Sequence, residues 1–171
     1  MRSFFLLMCL ATAAWSAPPE EVVRRFFAVG LRQDLKGNAR WAAVKPLMTP
    51  RFYEAVRRGV LLEGDYTLKQ SGVLLFDMGM FHNHQRDYED FSLGPSRRHG
   101  DVTIIPVSTV NHHLNNLTSQ SDLWLLGQGD FYQIDDIYHR NDNHKAASYR
   151  QGALKMYQLY LDQKARESKR P

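Results

Sequence analysis

Between Asp101 and His139 the chain passes three times through an apolar, β-branched or aromatic run, and turn residues close each passage. No other feature restricts the fold as strongly. "DVTIIPVSTV" (101–110) is the first run, and "NHHLNNLTSQ" (111–120) is polar and reads as a hairpin loop. "SDLWLLGQGDFYQIDDIYH" (121–139) reads as two strands joined at Gly127-Gln128-Gly129-Asp130, where the glycines can take positive φ. Runs and loops this short pair as an antiparallel meander, because parallel neighbours need a long crossover. Pro106 cannot donate to a ladder, which predicts an edge position or a bulge for its strand.

Upstream the pattern is helical. Val22, Val23, Phe26, Phe27, Gly30 and Leu31 recur at three-and-four spacing behind Pro18-Pro19 and Glu20-Glu21. Lys36-Gly37-Asn38 breaks that helix, a second opens at Trp41, and a third starts at Thr49-Pro50, a cap followed by proline, and carries Phe52, Val56, Val60 and Leu61. From Ser71 to Gly100 there is no clean period, and the segment reads as loop-rich with a short strand near Phe91. After Asn141 a helix from Ala146 to about Ala165 sets Tyr149, Ala153, Met156, Tyr157 and Tyr160 on one stripe, with a charged tail fraying from about residue 163. Helices, then a meander, then a helix define an α+β class.

The first sixteen residues, "MRSFFLLMCLATAAWS", combine a basic start, an apolar stretch and a small-x-small site, the pattern of a removable secretory signal cut after Ser16 or Ala17. Residues 17–171 then form a single domain located in the periplasm or outside the cell. Cys9, the only cysteine, falls within the signal, so the remaining chain must hold together by burial rather than by disulfides. Removing Arg2 with the signal leaves 21 basic against 18 acidic residues. The basic residues are scattered in pairs (Arg24-Arg25, Arg57-Arg58, Arg97-Arg98), as on solvated helix faces, and do not form a nucleic-acid track. The apolar stretch is too short to serve as a stable membrane anchor.

Two carboxylates, Asp135 and Asp136, interrupt the last strand. Alternation puts Tyr132, Ile134, Asp136 and Tyr138 on one face and leaves Asp135 with the other. Asp136 is then predicted to be inward and paired, for example with Arg24 or Arg25, or to be a cavity acid raised by desolvation; Asp135 is predicted to be outward. His82 and His84 share a face if their segment is a strand, with Asp87, His112 or His113 as a third ligand. No local spacing completes a set, so neither a metal nor a cofactor is assigned. His112 and His113 lie in the polar hairpin loop.

"VVRRFF" (22–27), Phe81 with Gln85, and "YQIDDI" (132–137) resemble three places in a family of exported bacterial proteins of unknown function within the nuclear transport factor 2-like (cystatin-like) superfamily. Two departures stand out: Gly79-Met80 where an acid and a proline would precede Phe81, and a longer C-terminal helix. The resemblance implies a curved antiparallel sheet wrapped around N-terminal helices as a cone. It also implies a binding rim gathering Phe81, His82, His84 and Arg86, with Phe81 either an exposed anchor or a core plug, joined by His112 and His113 if their hairpin points to the same end. The superfamily hosts both binding domains and small enzymes. The expected function is therefore an exported, non-catalytic binding module for a protein partner or a small envelope ligand, with pairing of two copies through the sheet as a further option. The alternative is a small lyase or isomerase with Asp136 as general base and Tyr132, Tyr138 or a loop histidine as oxyanion donor.

Overall fold

The computed structural model describes residues 17–32, 34–35, 37–63, 88–140 and 146–168. Helix α1 spans Pro19–Leu31, α2 Gly37–Val44, and α3 Pro50–Glu63, with a 3-10 turn at Lys45–Leu47 between the last two. Strands β1 (Asp90–Leu93), β2 (Arg97–His99), β3 (Val102–Asn111), β4 (Leu117–Gln128), β5 (Phe131–Arg140) and β6 (Ala146–Ser148) follow, and α4 (Tyr149–Glu167) closes the described chain. The sheet is antiparallel throughout, in the order β1-β3-β4-β5-β6, with β2 also on β3. This is an α+β fold. Among the described residues no helix is long and apolar enough to cross a membrane.

α1 follows its periodicity. Proline at the first turn, Glu20 and Glu21 against the positive end of the dipole, and the buried quartet Val22, Val23, Phe26 and Phe27 are all in place. Those side chains meet Val44, Leu47, Met48, Phe52 and Val56 from the next two helices and Ile105, Val107, Leu123, Leu125, Ile134 and Ile137 from the sheet. Helices therefore cover one face of β3–β5. Phe26 and Phe27 are wholly buried, so truncating either to Ala would cost about 3–5 kcal/mol.

Three expectations are corrected. α2 begins at Gly37 rather than Trp41, because glycine is poorly suited to a helix interior but tolerated at its start. Pro106 stands in β3, an interior strand, opposite the break between β1 and β2: Leu93 pairs with Val107 and Arg97 with Ile104. The N–H that proline lacks would face that break, and the Pro106 carbonyl is taken by the Gly94 N–H at 2.8 Å. Finally, Ala146–Ser148 joins β5 as a strand before the helix starts, and helix continues through Glu167. A Lys164–Glu167 ion pair at 3.7 Å and Lys164 lying 5.7 Å from the Tyr160 ring support that last turn.

The β4–β5 hairpin closes with Gln128 paired to Phe131 across a two-residue turn, and Gly129 takes the positive φ of 63° that the tight turn needs. Gly127 is constrained differently, since a Cβ there would run into the backbone of Phe131 and Tyr132.

Candidate functional site

β4 and β5 run in register from Gln128–Phe131 to Leu125–Ile134, then resume at Trp124–Asp136. Asp135 is the extra residue of a β-bulge. The bulge reverses the alternation, so Ile134 and Ile137 both enter the core although they are three residues apart. Tyr132 packs against the same core. Asp136 pairs with Trp124, which points away from its core neighbours Leu123 and Leu125, and Tyr138 lies 4.6 Å from the Trp124 ring. The single face expected for Tyr132, Ile134, Asp136 and Tyr138 is therefore split. Asp135, expected outward, is 6% exposed, and Asp136 is 1% exposed.

Both acids are buried because each anchors the start of a helix. Thr49 caps α3, its Oγ1 accepting from the Phe52 N–H at 3.3 Å. That hydroxyl donates to Asp135 Oδ1 at 2.8 Å, and Arg51 grips both oxygens of Asp135, with Nε and Nη2 each at 2.5 Å. Ser148 caps α4, accepting from the Gln151 N–H at 3.0 Å, and donates to Asp136 Oδ2 at 2.5 Å. The Arg150 N–H donates to Asp136 Oδ1 at 3.0 Å, while its guanidinium reaches back to Asp135 Oδ2 at 2.6 Å. The partners come from α3 and α4, not from Arg24 or Arg25 of α1, where Arg25 pairs with Glu21 at 2.7 Å.

Neither α3 nor α4 has an acid in its first turn; each carries an arginine there, against its own dipole. The Asp135-Asp136 pair supplies the missing negative charge from the sheet. Burial alone would raise Asp135, but hydrogen bonds from Arg51, Thr49 and Arg150 outweigh it and hold the carboxyl below its ordinary range. Burial pushes Asp136 up, only partly opposed by Ser148 and the Arg150 and Ile137 N–H groups. Burial, then the Asp136 charge, also raises the Tyr138 phenol.

Beside this anchor lies an open groove of about 840 Å³. α3 contributes Arg51, Tyr53, Glu54 and Arg57 to it, the preceding turn Lys45, Pro46 and Met48, and β5 Gln133. Tyr53 is fixed between Trp41, edge-on at 6.1 Å, and the Lys45 ammonium, 5.5 Å from its ring. Glu54 is held by Arg58 at 3.0 Å. Asp136 does not line this groove.

Of the residues expected at a rim, His112 and His113 are exposed in the β3–β4 connection. Glu89 links them, accepting from the His112 backbone N–H at 2.6 Å and meeting His113 Nε2 at 2.6 Å. Asn115 and Asn116 turn the chain there with positive φ. Phe81, His82, His84 and Arg86, with Gln85 and Asp87, lie outside the described residues, as does the segment 1–16. Among the described residues no group of three or more His, Cys, Asp or Glu is placed to hold a metal.

Sequence reasoning passed over Arg51 and Arg150. The signal was present: Thr49-Pro50-Arg51 and Ser148-Tyr149-Arg150 are both a capping residue, any residue, then arginine. A cation in the first turn of a helix calls for a carboxylate nearby. Lys45, Tyr53 and Arg57 were also missed, because Arg57-Arg58 reads as an ordinary solvated pair.

Comparisons of the chain with family models, with curated proteins and with solved structures found no match.

Proposed function

We propose that this chain is an exported, non-catalytic binding module that recognises a protein partner, or a small ligand of the cell envelope. The single observation that carries this reading is the open groove at α3, with cationic and aromatic walls, bordered by Gln133 of β5. The adjacent acids are committed elsewhere: both oxygens of Asp135 and of Asp136 accept hydrogen bonds that hold α3 and α4. The finer architecture we propose is the cone of the nuclear transport factor 2-like superfamily. His112 and His113 would lie on its rim with Phe81, His82, His84 and Arg86.

The raised pKa of Asp136 favours the second reading, a lyase or isomerase using it as base. Its enclosure by Ser148, Arg150 and the Ile137 N–H favours the first. The test is affinity capture from a periplasmic extract with immobilised residues 17–171, followed by titration of the purified captured species. Saturable one-to-one binding is the expected result. Turnover of any ligand that Asp136→Asn abolishes without altering the melting temperature would overturn it.

A further inference from the structure

We infer that the groove at α3 is the partner-binding surface, and that what it receives is an acidic peptide segment with apolar residues between its acids. This deepens the binding reading above and rests on it. Lys45, Arg51 and Arg57 line the groove against one acid, Glu54, which Arg58 already holds. Lys45 and Arg57 are exposed. Opposing this, Arg51 is partly neutralised by Asp135, so Lys45 and Arg57 carry most of the attraction.

The spacing narrows the ligand. Arg51 and Arg57 are six residues apart on one helix, about 9 Å along its axis. A ligand with an anionic group at each end of that span would engage both cations at once. In a polyproline II segment, side chains three residues apart share one face and are separated by about 9 Å. Beside the cations, Ala42, Pro46 and the ring of Tyr53 offer apolar surface for intervening residues. A flat lipid surface cannot follow a concave wall, and a nucleic acid would need a longer basic track than scattered pairs provide.

The experiment uses residues 17–171 and a fluorescein-labelled peptide, Glu-Leu-Tyr-Glu-Leu-Tyr-Glu, read by fluorescence anisotropy at rising salt. Saturable binding is expected that weakens as salt rises and falls at least tenfold in the double variant Lys45→Glu, Arg57→Glu. The variant Arg24→Glu, a charge reversal on exposed α1 surface, should bind as the parent does. Equal binding by parent and double variant would overturn the inference. So would absence of peptide binding, or tighter binding to phosphatidylglycerol vesicles, single-stranded DNA or inorganic phosphate alone. The two readings fail separately. A captured partner that the double variant retains sinks the groove but leaves the binding function. Peptide binding lost in the double variant, with no partner captured, leaves the groove and sinks the broader reading.

Discussion

Arg51 and Arg150 occupy the same position, second after the cap, in two different helices, and both close on the carboxylate of Asp135, at 2.5 and 2.6 Å. One bulged residue of β5 therefore ties the first turns of both α3 and α4 to the sheet.

Removing that carboxylate should cost more than its place in an alternating strand suggests. Asp135→Ala leaves two arginines and the Thr49 hydroxyl without their acceptor, and the expected loss is about 3 kcal/mol. Asp136→Ala should cost about 1–3 kcal/mol, through the released Ser148 hydroxyl and Arg150 N–H. Urea titration of both variants measures this. A loss under 0.5 kcal/mol for Asp135→Ala, roughly what an ordinary exposed position gives, would refute the anchor.

The two arginines should be coupled. Arg150→Ala is expected to destabilise more than Arg51→Ala, because the Arg150 side chain is 23% exposed and that of Arg51 62%. A double-mutant cycle should give a coupling of about 0.5–3 kcal/mol, since each removal changes what the other holds. Strict additivity would mean that the two contacts are independent.

The neighbouring acids should respond to pH with opposite signs. Asp135 is lowered from its ordinary 3.8, so its contribution is complete above that value and is lost as pH falls through the folded pKa. Asp136 is raised, so the folded state binds its proton more tightly. Its contribution is largest below 3.8 and is lost as pH rises through the folded pKa. Stability measured from acid to neutral pH should therefore fall less steeply below 3.8 in Asp135→Asn than in the parent. Above 3.8, Asp136→Asn should remove a component that declines with rising pH. Parallel curves for all three proteins would contradict these assignments.

Gly127 offers a test of the hairpin alone. In Gly127→Ala the new methyl meets the Phe131 and Tyr132 backbone, so one strand must shift, at a cost of about 1–3 kcal/mol. Gly152 in α4, where a Cβ meets nothing within 4 Å, should instead gain stability on replacement by Ala. Thermal melts of the two variants should move in opposite directions.

Much of the fold was legible because its signals are local. Thr49-Pro50 announced α3, the repeat of Val22, Val23, Phe26 and Phe27 announced α1, and Gly129 announced the last hairpin. The bulge at Asp135 was not legible, since period-two counting assumes an unbroken strand and an extra residue changes the phase of all that follow. Pro106 misled for a related reason: whether a missing donor matters depends on the neighbouring strand, and the neighbour here is interrupted. The candidate groove was least legible. Lys45, Arg51 and Arg57 come from a turn and a helix whose residues look individually like solvent-facing charges, and only packing brings them around Tyr53.

The shared anchor has a consequence for the order in which the chain is completed. Asp135 and Asp136 precede α4, so a chain ending before Ser148 would possess both buried acids but only the α3 half of what satisfies them. Thr49 and Arg51 could still engage Asp135, while Asp136 would keep, among the described residues, the neighbouring N–H of Ile137. The nineteen residues of α4 are thus no trim on a finished domain. Their arrival is the moment at which β5 can settle, and a stop codon upstream of Ser148 should yield a protein that never completes that step.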